Sequence, residues 1–190
     1  MLFRSGTIIP RPIAWVSTIS PEGCPNLAPF SFFQGVTANP PTLMFVPVND
    51  RSGAKKDTVR NIEQVPEFVV NLVSGALTEK MNQTATMLPY GESEFERFGV
   101  VPATSAHVRP PRVAAAPVAF ECRLDRIVLI GEGPLAANVV FGRILVAHVA
   151  DSVLDAHGAP DVEKLDLIGR LSGNGYVRLT DRFEVKRPDR

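Results

Sequence analysis

Seventeen prolines stand among the 190 residues, about 9% of the chain where ordinary proteins carry about 5%. They run from end to end. Each removes a backbone donor and stops or kinks a helix, so the spacing leaves no room for a helical bundle or coiled coil. Short strands, turns and short helices remain. Eight of the seventeen fall before residue 49, in a stretch whose only charges are Arg4, Arg11 and Glu22. Over the whole chain charge is balanced, with 20 Lys and Arg against 20 Asp and Glu, which argues against a polyelectrolyte or nucleic-acid binder.

Local patterns set out the elements. Ile13 to Ile19 and Leu27 to Phe33 are apolar runs around a Pro21-Glu22-Gly23 turn and read as a hairpin. Asn39-Pro40-Pro41 reads as extended backbone, leading to a strand over Thr42–Val46. Residues 49–56 read as a polar, flexible loop, with Asp57 capping a short helix that buries Val59, Ile62 and Val65 and stops at Pro66. Glu67 to Val73 is a further strand. Two short helices follow between Thr78 and Phe98, the second opening on Ser93-Glu94-Phe95-Glu96 with capping-box spacing. Val118, Phe120, Cys122 and Leu124 alternate with Ala119, Glu121, Arg123 and Asp125, giving one buried and one wet face, with a bulge at Asp125-Arg126. Asn138 to Ala150 and the segment around Tyr176–Leu179 complete the strands. About seven strands with helical insertions in one domain, 1–190, indicate a mainly β barrel or sandwich.

Several constellations bear on chemistry. Arg51, Ser52, Lys55 and Lys56 precede a helix N-terminus at Asp57-Thr58, a combination that suits a phosphate, or equally a solvated loop with an ordinary cap. Asn26 to Phe33 mixes prolines and small residues into a β segment, either freeing backbone groups to meet a flat ring or guarding an edge strand against aggregation. Gly131-Glu132-Gly133-Pro134-Leu135-Ala136 matches G-x-G-x-x-A, but no adequate helix follows, and a hairpin turn is the better reading. His107, His148 and His157 have no metal-ligand spacing, and His148 reads either as facing a ligand or as a satisfied structural residue. Glu92, Glu94 and Glu96 read as solvated faces or caps. No nucleophile elbow or CxxC is present, so catalytic and metal-ligating residues are assigned to none. Two distant cysteines and no apolar run of leader or membrane-span length indicate a soluble, cytoplasmic protein with no membrane partner.

Taken together, Arg11-Pro12-Ile13-Ala14-Trp15-Val16-Ser17-Thr18, Asn26 to Phe33, Asn39-Pro40-Pro41, Lys56-Asp57-Thr58 with Asn61-Ile62, Glu67 to Asn71, Pro111-Arg112-Val113, Phe120-Glu121-Cys122 and Gly169-Arg170 with Gly173 and Tyr176 resemble the flavin reductase-like family. The resemblance implies an antiparallel split β-barrel, the FMN-binding split barrel, usually a homodimer. It implies bound FMN, NAD(P)H as reductant, and a second acceptor, an electron-acceptor protein or oxygenase. A flavoredoxin-like carrier reduced by a protein partner and a binder of haem or another planar ligand are the alternatives. By the same analogy Trp15, Val16, Ser17 and Thr18 with Asn26, Ala28, Pro29, Phe30 and Ser31 flank the ring and ribityl chain. Asn49, Arg51, Ser52, Lys55, Lys56 and Thr58 gather around the phosphate, and Arg170 and Tyr176 close the site or meet the nicotinamide. Only ten residues precede Arg11, fewer than the family generally carries, which implies either a shortened N-terminal piece or a misassigned start.

Overall fold

A computed structural model describes residues 6–188. The strands are β1 (Ala14–Ile19), β2 (Pro25–Phe30), β3 (Phe33–Ala38), β4 (Pro41–Phe45), β5 (Glu67–Asn71), β6 (Pro102–Ala103), β7 (Arg112–Val113), β8 (Val118–Ile130), β9 (Ala137–Val149), β10 (Ile168–Arg170) and β11 (Tyr176–Arg178). The helices are α1 (Asp57–Gln64), α2 (Thr78–Gln83), α3 (Glu94–Arg97) and α4 (Val162–Leu165). Seven strands form one antiparallel sheet in the order β2-β1-β5-β8-β9-β4-β3.

That order explains the shape. Strands lie about 4.8 Å apart, so a flat seven-stranded sheet would hold its two edges nearly 30 Å from each other. Yet the edge strands β2 and β3 are joined only by Ser31 and Phe32, a link spanning about 11 Å at full extension. The sheet therefore curls until its edges meet at this corner, while β2 and β3 stay unpaired: a barrel split along one seam. The apolar run from Leu27 to Phe33 is thus not one strand. It breaks at Ser31-Phe32, and β3, exposed along most of its length, begins after the break.

Ala14, Val16, Phe45, Phe68, Val70, Cys122 and Val140 fill the barrel. A second cluster covers the outer face of β1, where Trp15 and Ile13 pack with Leu27, Met81 of α2 and Phe95 of α3. Because β1 is covered on both faces, its run Ala14–Ile19 does not alternate in polarity.

Other expectations are corrected by longer-range packing. Asn39 and Pro40 form the turn of the β3–β4 hairpin, and extended backbone resumes at Pro41. Asp57 is the first helical residue of α1, whose N-cap Lys56 gives no side-chain cap; Asp57 instead accepts from Arg60 at 3.1 Å. Residues 50–54 form a closed turn, because Asp50 Oδ1 accepts from the backbone N–H of Ser52 and Ala54 and from Ser52 Oγ. Ser93 precedes α3 without making a cap bond.

Strands β8 and β9 pair through the turn at 131–136, and Asp125 bulges between the pairs Leu124–Gly142 and Arg126–Phe141. Glu121 is not on a wet face. Its side chain is fully buried, and its carboxylate accepts from the backbone N–H of Ala106 and of His107, each at 2.6 Å, and lies 2.6 Å from His148 Nε2. His148 is thereby satisfied structurally. The burial of Glu121 pushes its carboxyl upward, but these three bonds outweigh it and hold the group below the usual carboxylate value.

Candidate functional site

A cleft of about 550 Å³ opens beside the seam, a size ordinary for a ligand site. Its first wall is β2 and the corner after it: Asn26, Ala28, Pro29, Phe30, Ser31 and Phe32. As an edge strand, β2 pairs only with β1, so every second residue directs its backbone groups away from the ladder. Leu27 is one of these, since its N–H goes to Glu94 Oε2 at 2.8 Å. By the two-residue period Pro29 shares that side, where a missing N–H breaks no ladder bond and the carbonyl faces outward.

The second wall is the start of α1. Lys55, Lys56, Asp57, Thr58 and Arg60 line the cleft. The first amides of a helix lack intrahelical partners and, with the helix dipole, favour an anion. Lys56 adds a cation with no ion pair among the described residues. Lys55, by contrast, is paired with Glu63, and Arg60 is stacked 3.7 Å from the Tyr90 ring centroid while bonding Asp57. Thr58 is buried, and its Oγ1 accepts from Asn26 Nδ2 at 3.1 Å, which ties α1 to β2.

The third wall, from Thr84 to Tyr90 with Glu94 behind it, has no counterpart in the sequence expectations. Trp15 and Thr18 brace it from the interior. Trp15 Nε1 donates to Thr84 Oγ1 at 2.8 Å, and Thr84 lines the cleft. Thr18 accepts from Asn61 Nδ2, whose side-chain oxygen accepts from Tyr90 Oη. Glu94, expected on a solvated face, is only 5% exposed and lines the cleft. Three acidic residues at every second position around a short helix carry no periodic mark of burial, so nothing local singles Glu94 out.

Of the residues named from the sequence, the cleft thus gathers Asn26, Ala28, Pro29, Phe30, Ser31, Lys55, Lys56 and Thr58. The rest lie elsewhere. Val16 is in the barrel core, and Ser17 donates to the Pro111 carbonyl. Asn49 binds the β8–β9 turn, donating to the Gly133 carbonyl and accepting from Asn138. Arg51 and Ser52 are exposed on the turn that Asp50 closes. Arg170 stacks on Tyr176 at 4.6 Å and bonds the carbonyls of Gly173 and Gly175, while Tyr176 Oη donates to Asn82. Arg170 also pairs through its backbone with Arg11, whose Nε donates to Ser31 Oγ at 3.2 Å. Arg170 and Tyr176 therefore stand behind the Ser31 end of the cleft. Burial, and then the nearby Arg170 charge, lower the Arg11 pKa, so positive charge is concentrated there.

A barrel split between β2 and β3, with a cleft at the split that offers a cation and helix amides beside an apolar strand edge, is a split-barrel fold with a ligand cleft suited to an anion. The chain belongs to the flavin reductase-like family: the family model described as Flavin reductase like domain matches residues 5–162. Nitrilotriacetate monooxygenase component B from Bacillus cereus is 36% identical with a TM-score of 0.91, the match covering 97% of this chain and 91% of that one. The 2-nitrobenzoate 2-nitroreductase NbaA of Pseudomonas fluorescens is 31% identical with a TM-score of 0.88, over 98% of this chain and 89% of that one. An uncharacterized protein of Aquifex aeolicus is 42% identical over 95% of this chain and 90% of its own length. Among the described residues no helix is long and apolar enough to cross a membrane.

Proposed function

We propose that the protein is an FMN-dependent oxidoreductase that takes a hydride equivalent from NAD(P)H and passes electrons to a second acceptor. The observation that carries this reading is the pairing of Lys56 and the α1 N-terminus with the β2 edge in one cleft. FMN requires both: a site for a phosphate carrying about −1.5 to −2 charges, and a flat wall for a ring. The residues present fit that group. Lys56, the Thr58 hydroxyl and the amides of Asp57 and Thr58 would hold the phosphate, and Ala28 to Ser31 would border the ring.

When bound, the flavin supplies the two-electron chemistry, so the protein needs no nucleophile or acid–base triad. The chain's own part is positional and electrostatic. Thr58 is fixed by Asn26 and therefore presents its hydroxyl in one orientation. Trp15, through Thr84, keeps the far wall at a constant distance from β2. Arg11 orders Ser31 and, with Arg170, sets a positive field at that end of the cleft, which favours added electron density on a bound ring.

An oxygenase as the acceptor is supported by the Bacillus cereus relative, a monooxygenase component by name. A homodimer is supported by the exposed apolar tip of the β8–β9 hairpin, where Val128, Leu129, Ile130 and Leu135 meet solvent. The test is to load the purified protein with FMN and mix it anaerobically with NADH or NADPH. Bleaching of the flavin band within the mixing experiment is expected with at least one nicotinamide. A flavin that stays oxidised with both would make the protein a carrier served by another protein, and a haem-type spectrum would end the flavin reading.

A further inference from the structure

Glu94 is a buried carboxyl that the proposed phosphate and ring contacts leave unused. Its Oε2 accepts from the Leu27 N–H at 2.8 Å, and no cation lies within ion-pair distance of it among the described residues. A carboxylate kept 5% exposed without a cation costs folding free energy unless donors are supplied to it. One donor is Leu27. The cleft it lines is where a further donor would come from.

Its position along the cleft identifies that donor. Leu27 lies between Asn26, which is bonded to Thr58 at the phosphate end, and Ala28, which borders the proposed ring wall. Glu94, fastened to Leu27, therefore stands between the two ends. In a ligand with a ring at one end and a phosphate at the other, the middle is the polyol chain, whose hydroxyls donate hydrogen bonds. We propose that Glu94 is a binding residue for that chain, its carboxyl accepting a hydrogen bond from a polyol hydroxyl of the bound flavin nucleotide. This rests on the flavin reading given above.

The surroundings suit such a role. Burial pushes the Glu94 carboxyl upward, the N–H of Leu27 and its own backbone N–H pull it down, and the charge of Asp57 adds a smaller upward push, leaving it above the usual carboxylate value. The facing groups are Asp57, Lys55, Lys56 and Arg60 of the α1 segment and the Cys24 thiol of the β1–β2 turn, which Glu94 and Glu96 help to raise. Lys55 and Arg60 are engaged with Glu63 and Asp57. A hydroxyl donor thus meets an acceptor that no neighbouring cation already occupies.

Three flavins separate the parts of this claim: lumiflavin has the ring alone, riboflavin adds the polyol, and FMN adds the phosphate. Fluorescence titration of the flavin-free protein with each is compared between wild type and Glu94→Gln. Glutamine keeps an oxygen for the Leu27 N–H and puts an NH2 in place of the second carboxylate oxygen, so the acceptor is lost with little change in volume. We expect riboflavin and FMN to bind about tenfold more weakly, the loss of one charge-assisted bond, and lumiflavin to change less than twofold. FMN and riboflavin affinities within twofold of wild type, or an equal loss for lumiflavin, would overturn the proposal. Wild-type protein that binds none of the three would instead overturn the flavin reading itself. Should Glu94→Gln melt early, Glu94→Asp, which keeps the charge but withdraws it by one methylene, is held to the same selective loss.

Discussion

Replacing Glu121 by alanine removes the acceptor that fastens the connector between β6 and β7 to the barrel wall. Its carboxylate holds the amides of Ala106 and His107 and the ring nitrogen of His148, three bonds from three separate groups. A hydrogen bond contributes roughly 1 kcal/mol net, and those to charged groups more. Ala106 and His107 are exposed, so their freed amides reach water and the loss stays near the lower figure. The expected cost is about 3 kcal/mol in urea unfolding, or roughly 6–12 °C in Tm for a chain of this length. Glu121→Gln is no rescue. It points an NH2 at one of the donors and is expected to cost about 2 kcal/mol.

The acid limb gives a second reading. Glu121 titrates below its ordinary value of 4.5, so its contribution is present in full above that value and is lost as the pH falls through the folded-state pKa. The gap in stability between wild type and Glu121→Gln should therefore narrow below pH 4.5. Hydrogen exchange at Ala106 and His107 should accelerate in both variants. A loss under about 1 kcal/mol with unchanged exchange at those amides would refute the argument.

Two further outcomes follow from the barrel interior. An alanine Cβ at Gly142 would stand 2.2 Å from Phe68 Cζ, and Phe68 is fully buried, so Gly142→Ala should cost about 1–3 kcal/mol in urea unfolding. Cys122 is fully buried with its thiol pushed far upward by burial, whereas half-buried Cys24 donates to the Gly91 carbonyl at the surface. Mass spectrometry after alkylation should find only Cys24 modified in the native protein and both cysteines after denaturation.

What the sequence made legible was local. Val59, Ile62 and Val65 at helical spacing, the slip at Asp125 and the glycine-rich turn before Leu135 are each written within a few neighbouring residues, and each appears in the fold. Strand β3 escaped notice because Gln34 to Ala38 is exposed and shows no buried face. Glu94 and Glu121 escaped for the opposite reason. Each is buried by a partner distant in sequence, Leu27 for one and Ala106, His107 and His148 for the other, and no window of neighbours contains both halves. The same holds for the cleft: β2 and the α1 start have a chemistry that can be read locally, whereas the Thr84–Tyr90 wall depends on where Trp15 and Asn61 reach.

In the proposed function Lys56 and the start of α1 receive the phosphate of a flavin held against β2. That placement is tested most directly by titrating wild type and Lys56→Ala with FMN and riboflavin. Wild type should quench FMN fluorescence with a saturable isotherm and prefer FMN to riboflavin. Lys56→Ala should lose about 1.5–3 kcal/mol of FMN binding, tenfold or more, while riboflavin binding stays unchanged. Equal affinity of wild type for the two flavins, or equal losses for both in Lys56→Ala, would contradict the account.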